Sequence, residues 1–205
     1  ADKFNIIRSI HHEFADHGGG HKRFLTGRKP KEPTGFVNDA PCVGSMASHA
    51  LEGHRRTRGL PNYIVLGDGR VNNVDTFSFG ASYLGNHTHP FRISADPSSK
   101  NFKVENVSLE RAMSDRLSDR ATLLGGFDKM RRDVDASGLA SSMDVFNQRA
   151  LAMMTSETVR EAFDLSQEKG SVRERFSRHE WGQRALLARR LVERGVPWVT
   201  VVMEN

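Results

Sequence analysis

The sequence predicts an α/β domain built around a buried parallel sheet. Three observations carry this. "WGQRALLARRLVERG" places Leu187, Leu191 and Val192 on one helical stripe, and Gly195 stands where that helix should end. Pro197 then opens "WVTVV", a strand apolar on both faces, as a strand covered by helices must be. "LPNYIVLGDG" repeats the pattern earlier in the chain, an apolar run that stops in a glycine turn.

Taken in order, "FNIIRS" (Phe4 to Ser9) is short, apolar and β-branched, and predicts a strand. From His11 to Asn38 glycine, proline and polar residues recur without a period, which predicts a long loop. "APCVGSMASHALEG" predicts a short helix closed by Gly53, and Asn62 to Leu66 a strand. Arg70 to Val107 shows no regular pattern, with "FGASYLGNHTHPF" at its middle. Leu117, Leu124, Phe127, Met130 and Val134 keep helical spacing up to Gly138. Met143, Phe146, Ala150 and Met153 share one face of a following helix, and Ser156 caps a third, "ETVREAFDLS". Residues from about 109 to 180 thus form a helical cover or cap, within a single domain over 1–205.

The composition narrows the function classes. An apolar share of 37% with 18 glycines is that of an ordinary globular chain, so a core can form. No apolar run is long enough for a transmembrane helix. Lys and Arg number 30 against 25 acids, a net charge of +5, and the signs are interspersed. No basic stripe with stacking aromatics is present, so nucleic acid is not an expected partner. Cys42 is the single cysteine, which excludes an internal disulfide and a cysteine-rich zinc site. The chain opens on "ADKFNIIRSI" and stops where a strand has just ended, so it is expected to be an internal piece of a longer protein.

Ligands of open α/β sheets gather beyond the carboxyl ends of the strands. "FNIIRS" delivers His11, His12, Asp16, His17 and His21 into the next segment. Imidazoles and a carboxylate together suit Zn, Mn or a similar ion. The glycines of "DHGGGHKRFLTGRKP" allow backbone amides to approach an anion, with Lys22, Arg23 and Arg28 to neutralise it. The same residues equally describe a flexible, solvated loop, because no fixed ligand spacing is present. His87, His89 and Arg92 in "YLGNHTHPFR" form a second candidate for ligand contact. His49, His54 and His179 read as surface or packing residues.

Several segments carry a resemblance: "ADKFNIIRSIHHEFADHGGGHKRFLTGRKP", "VNDAPCVGS", "YLGNHTHPF", "DRATLLGGFDKMRRDVDASG", "SETVREAFDLS" and "LLARRLVERGVPWVTVVM". In this order they resemble an uncharacterised, sulfatase-like bacterial family (domain of unknown function 1501), grouped with the alkaline phosphatase superfamily. The resemblance implies a three-layer α/β/α sandwich, alkaline phosphatase-like and incomplete at both ends, with a divalent-metal site at the carboxyl edge of a mostly parallel sheet. It also implies further metal-site segments on either side of this chain, and an exported parent protein, periplasmic or extracellular.

Leu25, Thr26, Gly27, Arg28 and Pro30 resemble the Leu-Thr-Gly-Arg-x-Pro half of a sulfatase motif. By that spacing His17 stands where the Cys or Ser nucleophile would be, and His21 where the motif has Arg. Formylglycine chemistry therefore cannot run here. His17 would instead be a metal ligand beside Asp16 and His21, or itself a nucleophile. His12 would be a second ligand or a general acid. Arg23, Arg28, His21, His87 and His89 would contact the substrate. The expectation is a hydrolase of sulfate or phosphate esters, small or glycan, that depends on a divalent ion (Zn, Mn or Ca) and is inactive as this piece alone. The alternatives are a non-catalytic binding or surface module that keeps the fold and, less favoured, a mutase or other phosphoryl-transfer enzyme.

Overall fold

The computed structural model describes residues 6–52, 59–68, 70–71, 74–104, 153 and 156–203. Its elements are α1 (His17–Thr26), α2 (Val43–Ala50), β1 (Tyr63–Leu66), β2 (Arg70–Val71), β3 (Val74–Phe77), β4 (Phe91–Ile93), α3 (Glu157–Phe163), α4 (Gly170–Arg175), α5 (Glu180–Glu193) and β5 (Trp198–Val201). Two 3-10 turns, Ser82–Leu84 and Asn86–Thr88, lead from β3 to β4.

The sheet is open and parallel, in the order β4-β1-β5. Ile64 pairs with Phe91 on one side and with Val199 on the other. β2 and β3 form a separate antiparallel hairpin. The central strand β1 is buried throughout, and its alternation sorts the core. Ile64 and Leu66 join Val159 and Phe163 of α3 and Leu186, Leu187 and Leu191 of α5. Tyr63 and Val65 join Leu25 of α1, Cys42 at the head of α2, and Phe79. Helices therefore cover both faces, and the chain has the α/β class its sequence predicts, in three layers. Each of these aliphatic side chains contributes about 1.5–3 kcal/mol by leaving water.

Local chemistry explains where the helices begin. Ser156 caps α3 by accepting from the Val159 amide at 3.3 Å. His179 caps α5 through Nδ1, which accepts from the Gly182 amide at 3.3 Å. Arg190, almost wholly buried, clamps α5 to α3. It donates to the Glu161 carbonyl at 2.7 Å and to the Glu168 carboxylate at 2.5 Å.

Four sequence expectations are corrected. The expected strand Phe4–Ser9 does not form over its described part: residues 6–10 are exposed and lack regular structure, and among the described residues no strand pairs with them to satisfy their backbone. The expected loop from His11 to Asn38 contains α1, because Asp16 supplies a cap and Phe14 packs over Gly19. The irregular stretch from Arg70 contains β2, β3 and β4, whose short strands leave no periodic signal. Val192 is 54% exposed and lies off the buried stripe of α5. Gly53 and, apart from buried Met153, the helices expected between Leu109 and residue 155 lie outside the described residues.

Candidate functional site

The first sequence-predicted cluster sits at the start of α1. Asp16 is its N-cap, and its carboxylate accepts from the Gly19 amide at 2.6 Å. That hydrogen bond occupies one oxygen of the expected metal ligand. His17 is the first helical residue and is exposed. His12 is also exposed and lies over Gly20, where a Cβ would come within 2.4 Å of its Nε2. His21 follows one turn after His17, half-buried, with its ring edge-on to Phe79 at 5.3 Å. Its Nδ1 is buried and, among the described residues, has no hydrogen-bond partner. Burial holds the His21 imidazole below its ordinary pKa, so the neutral form is favoured.

The basic residues of this stretch have local duties. Lys22, 1% exposed, donates to the carbonyls of Glu32 and Gly35 at 2.7 Å and of Val37 at 3.1 Å. Arg23 donates to the Gly27 carbonyl at 2.9 Å, closing α1. The side chain of Arg28 is exposed beyond that cap.

A different set of ligating atoms comes together elsewhere. Among the described residues, His49, Glu52 and His87 bring one ligand atom each within 4.8 Å of one another. His49 lies in the last turn of α2, and Glu52 follows the helix directly. His87 comes from the 3-10 turn Asn86–Thr88. Its Nε2 lies 3.0 Å from Glu52 Oε2, and its ring centroid 6.3 Å from that of His49. Gly85, at φ 91°, separates the two 3-10 turns and lets the chain double back over α2. His89 stands two residues beyond. Desolvation first, and then the Arg92 cation, hold its pKa below the ordinary value.

The cluster lies at the amino ends of the strands. Asn62, just before β1, donates to the carbonyl of Ser48, beside His49, at 3.4 Å. His87 likewise precedes β4. Of the sequence-predicted residues, the structure brings only His87 into this group, and it does not gather Asp16, His17 and His21 into a comparable one. His49, expected as a surface or packing residue, is exposed and also belongs to this group, and Glu52 is a residue for which the sequence raises no expectation. The His-x-x-Glu spacing at the end of α2 was legible, but a partner 35 residues further on, His87, was not.

A family model described as "Protein of unknown function (DUF1501)" matches residues 1–205. No curated protein and no solved structure matches the chain. The match corrects the wider placement implied by the Leu-Thr-Gly-Arg-x-Pro stretch. The family is described as one of unknown function, and nothing links it to sulfatases or to the alkaline phosphatase superfamily. Over its whole length, the chain belongs to the family of proteins of unknown function DUF1501.

Proposed function

We propose that this chain is a metal-dependent hydrolase domain for sulfate or phosphate esters, with a divalent ion held by His49, Glu52 and His87. The observation that carries the reading is the convergence of these three side chains from two separate segments. Two imidazoles and one carboxylate suit zinc and neighbouring first-row ions, whereas calcium and magnesium favour oxygen ligands. Bound by His49, Glu52 and His87, such an ion would supply Lewis-acid polarisation of an ester oxygen and a lowered pKa for water.

The protein's own part is to hold the ligands in place. α2 fixes His49, and the Glu52–His87 contact draws the 3-10 turn towards the end of α2. The net charge of +5 favours an anionic substrate over a cationic one. The test is turnover of 4-nitrophenyl phosphate and 4-nitrophenyl sulfate by the zinc-loaded chain, with and without a chelator. Chelator-sensitive turnover lost in His87→Ala supports the reading, and turnover indifferent to the chelator sinks it.

One observation favours a second reading, a non-catalytic binding module. The cluster stands at the amino ends of the strands, opposite the edge where open α/β sheets usually hold their ligands. Zinc binding in calorimetry with no turnover of either ester would favour the module over the enzyme.

A further inference from the structure

We infer that Tyr83 and Met46 form an apolar wall beside the proposed ion of His49, Glu52 and His87, and that the site takes esters whose anion sits next to an aromatic ring. The wall has this role only where the ion is bound, so the ligand chemistry rests on the metal reading.

α2 divides its side chains between core and solvent. Gly44, Ser45 and Ser48 are buried. A Cβ on Gly44 would come within 2.4 Å of the Tyr63 ring, and this close approach fixes which face of α2 turns inward. Met46 and His49, three residues apart, share the outward face and are both exposed. The thioether of Met46 therefore stands one helical turn from a ligating imidazole.

Tyr83 comes from the chain that delivers His87. Both 3-10 turns pack against α2. The first opens at Ser82, whose φ of 49° is a left-handed backbone that side-chain-bearing residues adopt uncommonly. Such strain persists where the surrounding fold imposes it, and buried Ala81 anchors the turn from behind. Tyr83 follows at once and is 69% exposed. Among the described residues, its hydroxyl has no hydrogen-bond partner and its ring no ring neighbour. A lone exposed ring needs no explanation. A ring held out by a strained turn, four residues before a ligating histidine, is placed for contact. Four residues reach at most about 14 Å even when extended, and Gly85 at φ 91° folds the chain between the two.

A tyrosine and a methionine together select an aromatic partner over a small alkyl one. Rings stack offset or edge-on, and thioether sulfur contacts ring edges. The ion holds the anion, and the wall holds the ring. Different residues thus select the two halves of one ligand.

Calorimetry on the zinc-loaded chain with phenylphosphonate and methylphosphonate, two anions that differ in the ring, tests this. The phenyl compound is expected to bind about tenfold more tightly. Tyr83→Ala should erase the preference and Met46→Ala should reduce it, with zinc and methylphosphonate affinities as in the native chain. Tyr83→Phe should keep it, because the ring makes the contact. If Tyr83→Ala also weakens zinc, Tyr83→Gln is read in the same way, and loss of zinc in both overturns the wall by making Tyr83 a support of the metal ligands. Zinc bound with equal affinity for both phosphonates, or with neither bound, overturns the wall and leaves the metal site standing. So does a phenyl preference that survives Tyr83→Ala. Failure of the native chain to bind zinc brings down the metal reading and the wall with it.

Discussion

His21 shows how one buried side chain sets a pH dependence. Its pKa is lowered by burial, so as pH falls the unfolded chain takes up this proton before the folded one does. The stability tied to neutral His21 is complete above the ordinary histidine value of 6.5 and declines as pH falls below it. The native chain should therefore lose more stability between pH 7 and pH 5 than His21→Phe does. Urea denaturation at the two pH values measures this, and equal losses would refute it. The three glycines before His21 make a second point at this scale. A Cβ on Gly20 meets only the free end of exposed His12, whereas one on Gly19 meets the Phe14 ring at 2.6 Å. Gly20→Ala should thus stabilise α1 by about 0.5–1 kcal/mol through helix propensity, since His12 can swing aside. Gly19→Ala should gain less or destabilise, and thermal melts of the two variants give the order.

Among the elements, α1 is held by a single buried cation. Lys22 threads from the helix into the segment 32–37 and satisfies three carbonyls there. Lys22→Met keeps the length and apolar stem but leaves those acceptors without a donor, at a cost of about 3 kcal/mol. The loss should appear in urea unfolding and as proteolytic nicking between Lys29 and Val37, and a variant as resistant as the native chain would disprove it. Local signals made some elements legible. The stripe of Leu187 and Leu191, the capping Ser156, and the apolar run from Tyr63 to Leu66 all write their structure in neighbouring residues. β4 did not, because three residues beside a proline form a strand only when β1 is there to pair with them. α1 escaped for a related reason. Its glycines disfavour a helix locally, and at Gly19 it is the packing of Phe14 that makes glycine the fitting residue.

For the whole molecule, the proposed ion should act as a ligand of the native state. It joins α2 to the 3-10 turn that leads into β4, a link across the fold that the unfolded chain cannot make. Zinc at a hundredfold excess over its Kd should add about 2.7 kcal/mol to the folding free energy. The melting temperature should rise accordingly, and His87→Ala should abolish the rise while keeping the metal-free melting temperature. An unchanged melting temperature in zinc would count against the site.

The sequence by itself determined the α/β class, the central apolar strand, the tail of helix, glycine and strand, and the family. Hydrophobic period, caps and turn residues act over a few neighbours, so one dimension is enough to read them. Only the tertiary structure decided which histidines meet. His49 and His87 are 38 residues apart, and they converge because α2 and the 3-10 turns pack together at the amino ends of the strands. Spacing along the chain favoured Asp16, His17 and His21, which are close in sequence. In the fold, Asp16 is spent on a helix cap and His21 turns its ring against Phe79. A ligand set needs side-chain atoms to point at one place, and that convergence belongs to the packing of the elements rather than to the order of the residues.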